Sequence, residues 1–167
     1  MPTPEFIIRL REKIGHDPLW LIGVTGYIED DRGRVLLGRR SDTGRWALVS
    51  GINEPGEQPA ETIVREALEE TGVAIEPDEL VSVVADPRMI TYANGDKVQY
   101  LELLFCCHAK AGAEAARVGD EESLEVGWFY RGELPQDLSE TTRERMALVD
   151  EYRARLRHGY AHCLFRS

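Results

Sequence analysis

The stretch "SGINEPGEQPAETIVREALEETGV", residues 50–73 of the 167-residue chain, constrains the fold more tightly than any other segment. Pro59 suits a first helical turn, where its missing amide would have had no partner in any case. Glu61 complements the positive end of the helix dipole, and Gly72 supplies a stop. These signals predict a helix over 59–71. With successive residues about 100 degrees apart, Ala60, Ile63, Val64, Ala67 and Thr71 are expected on the packing side. Glu66, Glu69 and Glu70 are expected on the opposite arc.

That acidic arc needs a reason. Glu61 with Arg65, and Arg65 with Glu69, pair opposite charges at four-residue spacing. Glu66 and Glu70 are like charges at the same spacing and cost about 0.3 kcal/mol unless a cation lies between them. A hard divalent cation with oxygen ligands reverses that sign, so Glu66, Glu69 and Glu70 form half a cage for Mg2+ or Mn2+. The preceding "SGINEPGE" brings Gly51, Gly56 and Glu57 into a tight turn whose backbone can approach a ligand closely.

The spacing of Gly51, Glu57, Arg65-Glu66, Ala67, Glu69-Glu70, Gly72 and Val73 resembles the signature of the Nudix hydrolase family throughout. Ala67 stands where that family usually carries a larger aliphatic residue, and Val49-Ser50 replaces a common Pro-Gly. The resemblance implies an α+β fold, an α/β/α sandwich with a central mixed sheet between helices. It implies hydrolysis of a diphosphate linkage in a small nucleoside diphosphate derivative, by water attack at phosphorus. Glu66, Glu69, Glu70 and the Ser50 carbonyl would then hold Mg2+ or Mn2+. Glu66 and Glu69 would be catalytic together with Arg65, which orients Glu57; Gly51, Glu57 and Gly72 would shape the loop. Glu66 is the first choice of general base, with Asp120, Glu121 and Glu122 as distant alternatives. Arg39, Arg40, Arg45 and Arg88 are candidates for phosphate, and Trp46, Tyr92 and Tyr100 for stacking on a base. Of these, Arg39, Trp46, Arg88 and Tyr92 form the expected substrate-binding set. A homodimer is the assembly common in such families.

Two rivals share the resemblance: a regulatory ligand-binding module, which commonly loses these carboxylates, and an isopentenyl-diphosphate isomerase, which needs a reactive cysteine. Cys106 and Cys107 are adjacent, and strand alternation sends them to opposite faces, where a buried thiol is the plainer reading.

Elsewhere the pattern alternates strands and turns. A hairpin is expected over 21–40 around "DDRG", a short strand at 45–49, and further strands at 80–85 and 89–92. Asn94-Gly95 marks a turn into "KVQYLELLFCCHA", and 126–130 makes one more strand. An amphipathic helix at 1–18 is expected to start with Thr3 as its cap and to pack through Phe6, Leu10 and Ile14. A second is expected over 141–157, with Thr141 and Glu144 as a capping box. Residues 19–158 form the expected Nudix domain and 159–167 a frayed polar tail; His158, His162 and Cys163, across that boundary, lack a second pair of zinc ligands.

The net charge of -10 argues against a nucleic-acid polymer or an anionic membrane as partner, and means that a phosphate substrate needs cations. Charges scattered through "MPTPEFIIRLREKIG" do not read as a signal peptide, and no apolar run is long enough to span a bilayer. A cytoplasmic location is expected.

Overall fold

The computed structural model describes residues 3–111, 115–119, 123–160 and 162–165. Among these, nine strands join one mixed sheet between helices, the α/β/α sandwich expected. Its axis is β1 (Leu19–Glu29), buried along most of its length and running parallel to β7 (Lys97–Ala109) from Leu19↔Val98 to Glu29↔His108.

The expected hairpin exists only at its tip. β2 (Arg34–Arg40) meets β1 at Glu29↔Val35, then leaves to pair with β8 (Ser123–Tyr130) and with the short β3 (Trp46–Ala47). The vacated edge of β1 is taken by β4 (Val49–Ile52), with Thr25 opposite Ser50 and Val24 opposite Gly51. Splaying of β1 from β2 therefore opens the sheet where β4 delivers the chain to α2 (Pro59–Thr71).

Each face carries a helix. On one, α2 packs Ile63 and Ala67 on Val24, Ile28, Val49 and Cys107. Gly26 makes the close approach, since a Cβ there would sit 2.8 Å from Ile63 Cγ1. On the other, α3 (Glu140–Arg157) packs Met146, Val149 and Tyr152 on Tyr27, Leu104 and Cys106. The two adjacent cysteines thus enter opposite cores.

Several expectations shift. β5 (Ile75–Ala85) begins five residues earlier than its pattern suggests, because Pro77 and Asp78 sit at an irregularity in the pairing with β7, where a ladder tolerates proline. The strand expected at 89–92 shortens to β6 (Ile90–Thr91). In α1 (Glu5–Ile14), Pro4 occupies the cap position and Thr3 makes no cap. Ile7, with Phe6 beside it, packs on Leu21 and Val98, while Leu10 stays exposed. The α3 cap is Ser139, whose Oγ accepts from the Thr142 amide at 3.1 Å; Glu144 pairs with Arg88 instead of closing a capping box on Thr141. The tail reading does not extend to β9 (Leu164–Phe165), which pairs parallel with Ser82 and Val83 of β5 and buries Leu164. No helix among the described residues is long and apolar enough to cross a membrane.

Because Ser139 satisfies an otherwise unpaired helix-start amide, Ser139→Ala should lower the free energy of unfolding by about 1 kcal/mol. Thr141→Ala should leave it nearly unchanged. Urea denaturation of both variants checks the assignment.

Candidate active site

The turn between β4 and α2 is held by short-range polar contacts. Asn53 Nδ2 donates to Glu57 O at 3.1 Å and to Thr62 Oγ1 at 2.7 Å, and Thr62 Oγ1 donates to Glu57 Oε2 at 2.8 Å. At the helix start the Gln58 amide donates to Glu61 Oε2, and at its end Gly72 adopts the left-handed conformation with φ 68°. The helix therefore spans the residues its proline and glycine predict.

Its orientation differs from expectation. Thr62, Ile63, Glu66 and Ala67 are buried, whereas Ala60 is exposed, so the packing side is turned toward Glu66. Glu66 has no solvent exposure at all and lies against Gly51, where a Cβ would sit 2.1 Å from Glu66 Oε1. A larger residue at position 51 would push that carboxylate out of its place. The like-charge arc is thereby divided, with Glu66 inside, Glu69 exposed and Glu70 between them in burial.

Arg65 links the carboxylates. Its Nε donates to Glu57 Oε1 at 2.9 Å and its Nη2 to Glu57 Oε2 at 3.1 Å, a two-pronged pair. Its Nη1 donates to Glu66 Oε1 at 2.7 Å and to Glu69 Oε2 at 3.2 Å. Hydrogen bonding from Arg65 holds the Glu57 carboxyl below the usual carboxylate range. Burial acts on Glu66 in the other sense and pushes it up to about 7, against the pull of Arg65. Glu66 Oε2 is buried with no hydrogen-bond partner among the described residues.

Ser50, Glu70 and Arg40 line one small cavity in the opening between β2 and β4, together with Leu48 and Ser123. Arg40 is gripped by Asp42 at 2.7 and 2.9 Å and lies within electrostatic reach of Glu70 and Tyr92. Tyr92 Oη is 3.0 Å from Tyr100 Oη.

The other expected substrate residues have partners of their own. Arg39 donates to Gly44 O and Glu125, Trp46 packs edge-on against Phe129 with ring centroids 4.9 Å apart, and Arg88 is bound by Asp86 and Glu144. Arg40 is the cation beside Glu70; strand alternation, which sends Arg39 and Arg40 to opposite faces, is the signal that separates them. Asp120, Glu121 and Glu122 lie outside the described residues.

The donor set suits a hard cation: carboxylate oxygens, one of them buried and unpartnered, beside a glycine that clears space. Among the described residues no three acidic, histidine or cysteine side chains stand grouped as a metal would need; Glu66 and Glu69 both turn to Arg65.

A NUDIX domain model matches residues 20–149, and the chain belongs to the Nudix family. A MutT-like protein of Streptomyces ambofaciens is 33% identical over 129 residues, 77% of this chain and 76% of that protein. The human 8-oxo-dGDP phosphatase NUDT18 is 30% identical across 77% of this chain, which spans only 38% of that protein's length. The crystal structure of a MutT NUDIX hydrolase from Burkholderia pseudomallei superposes with a TM-score of 0.64 at 31% identity, covering 78% of this chain and 98% of that one.

Removing Arg65 leaves Glu66 buried beside no countercharge, so Arg65→Met should destabilise the metal-free protein by about 3 kcal/mol at pH 8. A carboxyl whose folded pKa exceeds its unfolded value gives stability below the unfolded pKa of 4.5 that is lost as pH rises through about 7. The Arg65→Met penalty should therefore shrink at pH 5.5, where Glu66 is protonated. Urea titrations at the two pH values read the difference.

Proposed function

We propose that the chain is a divalent-metal-dependent hydrolase that cleaves a phosphoanhydride in a nucleoside diphosphate derivative. The observation that carries this reading is the buried Glu66 carboxylate, with Oε2 unpartnered and Gly51 clearing the space around it. Glu66, Glu69, Glu70 and the Ser50 carbonyl are the groups that would hold Mg2+ or Mn2+. When bound, such an ion neutralises the diphosphate and favours ionisation of a water molecule.

The chain's own residues do the rest. Arg65 keeps Glu57 and the turn fixed, and its shared contacts hold Glu66 and Glu69 near one another without their repelling. Glu66, which burial makes the stronger base, stays the first choice of proton acceptor, and Glu69, half-exposed and within reach of water, is the second. Arg40, beside Glu70 and fixed by Asp42, would take a substrate phosphate that a chain of charge -10 would otherwise repel. Water oxygen then bonds to phosphorus, the bridging P–O bond breaks, and the departing phosphate or nucleotide carries the bond's electron pair.

The relative named for 8-oxo-dGDP supports a nucleotide diphosphate as substrate class. The isomerase alternative is disfavoured because both candidate thiols are buried in core strands, and burial pushes Cys106 up to about 11 and Cys107 higher still.

Phosphate and pyrophosphate release should be measured for nucleoside di- and triphosphates, ADP-ribose and nucleotide sugars, with and without Mg2+ or Mn2+. Turnover should require metal and fall by about a hundredfold or more in Glu69→Gln. Turnover that persists in a chelator would overturn the metal requirement. A folded, metal-binding protein that cleaves nothing in the panel would favour the ligand-binding module.

A further inference from the structure

The last turn of an α-helix leaves carbonyls that no amide within the helix can reach. In α2 these belong to the turn that carries Glu69 and Glu70. Leu68 O is taken by the Gly72 amide, but Glu70 O and Thr71 O are met from outside. The Gly119 amide donates to Glu70 O at 2.9 Å, and the Arg117 amide donates to Thr71 O at 2.9 Å. Residues 115–119 thus lie along the helix end as a strap fastened through alternate amides.

Gly119 sits closer to the helix than any side chain allows. A Cβ on it would fall 1.9 Å from Glu69 O, 2.9 Å from Glu69 C and 3.2 Å from Glu70 C. Its φ lies outside the left-handed region, so the requirement for glycine here comes from space and not from conformation. Gly132 offers the contrast, with nothing within 4 Å of its Cβ position. The obstacle at Gly119 is backbone, which does not rotate aside as the end of a flexible side chain does.

We propose that Gly119 is a positioning residue for the metal-binding carboxylates: its close contact locks the α2 turn from which Glu69 and Glu70 project. The inference rests on the reading of Glu69 and Glu70 as metal ligands. Mg2+ demands near-ideal octahedral geometry, so a turn displaced by the bulk of a methyl group presents its carboxylates poorly. The two strap amides hold the end of the helix before a cation arrives.

The test uses the full chain at pH 8 and Mn2+ as the probe, with binding read by electron paramagnetic resonance and not by turnover. Gly119→Ala should lower the thermal midpoint, because the methyl must displace backbone, and in the folded variant weaken Mn2+ binding by about tenfold or more. Gly132→Ala should bind as wild type does. In wild-type protein without metal, the Gly119 and Arg117 amides should show hydrogen exchange about a hundredfold slower than an open chain; this measurement decides the clamp even if Gly119→Ala fails to fold. Wild-type Mn2+ affinity in a folded Gly119→Ala, or unprotected amides at 117 and 119, would overturn the inference. Failure of the wild-type protein to bind Mn2+ would instead remove the reading of Glu69 and Glu70 on which it rests.

Discussion

One guanidinium organises the site. Arg65 divides its donors among Glu57, Glu66 and Glu69, and through them joins the turn before α2, the interior and the solvent-facing side of the helix. Without it, Glu66 would be an uncompensated charge in a core of Val24, Ile63 and Ala67, an arrangement that costs several kcal/mol. Even with it, the carboxyl is pushed up to about 7 and keeps one oxygen unpartnered. A protein interior retains such a group at a cost to its stability, and perturbed groups of this kind cluster where chemistry is done.

The sheet makes that arrangement accessible. β1 lies between β7 on one edge and, on the other, β2 near its end and β4 along its middle. Because β2 departs toward β8, the sheet opens beside β4, and the opening is lined by Ser50, Glu70 and Arg40. Gly51, one residue along, faces the opposite way and receives Glu66. A two-residue span of β4 thus serves both the opening and the buried carboxylate, a direct result of alternation along a strand.

Much of this was legible in the sequence where the signals are local. Pro59 and Gly72 mark the helix to the residue, and Asn94-Gly95 marks the turn between β6 and β7. What the helical pattern could not supply was the direction of packing. Judged by residue type, Ala60 belongs inside and Glu66 outside, and the reverse holds because a glycine on a neighbouring strand makes room for a carboxylate. The splay of β1 from β2 was hidden for a similar reason, since periodicity reports which face a residue occupies and not which strand it pairs with. Glu76, Pro77 and Asp78 fall outside the strand expected at 80–85 yet continue β5 through an irregularity. Only residue type points to Arg39, Trp46 and Arg88, without the spacing that marks residues 51–73, and each has a partner other than Glu66, Glu69 and Glu70.

On the proposed reading, Glu66 is buried so that it can bind a cation. Mn2+ affinity measured from pH 5.5 to 8.5 in wild type and Glu66→Gln tests it most directly. The claim predicts tight wild-type binding above pH 7 that weakens by up to about tenfold per pH unit below it, as protons compete for the carboxylate. In Glu66→Gln, affinity should be weak and lack that pH dependence near 7. Equal Mn2+ affinity in the two proteins across the range would contradict the claim and leave Glu66 as a structural acid paired with Arg65.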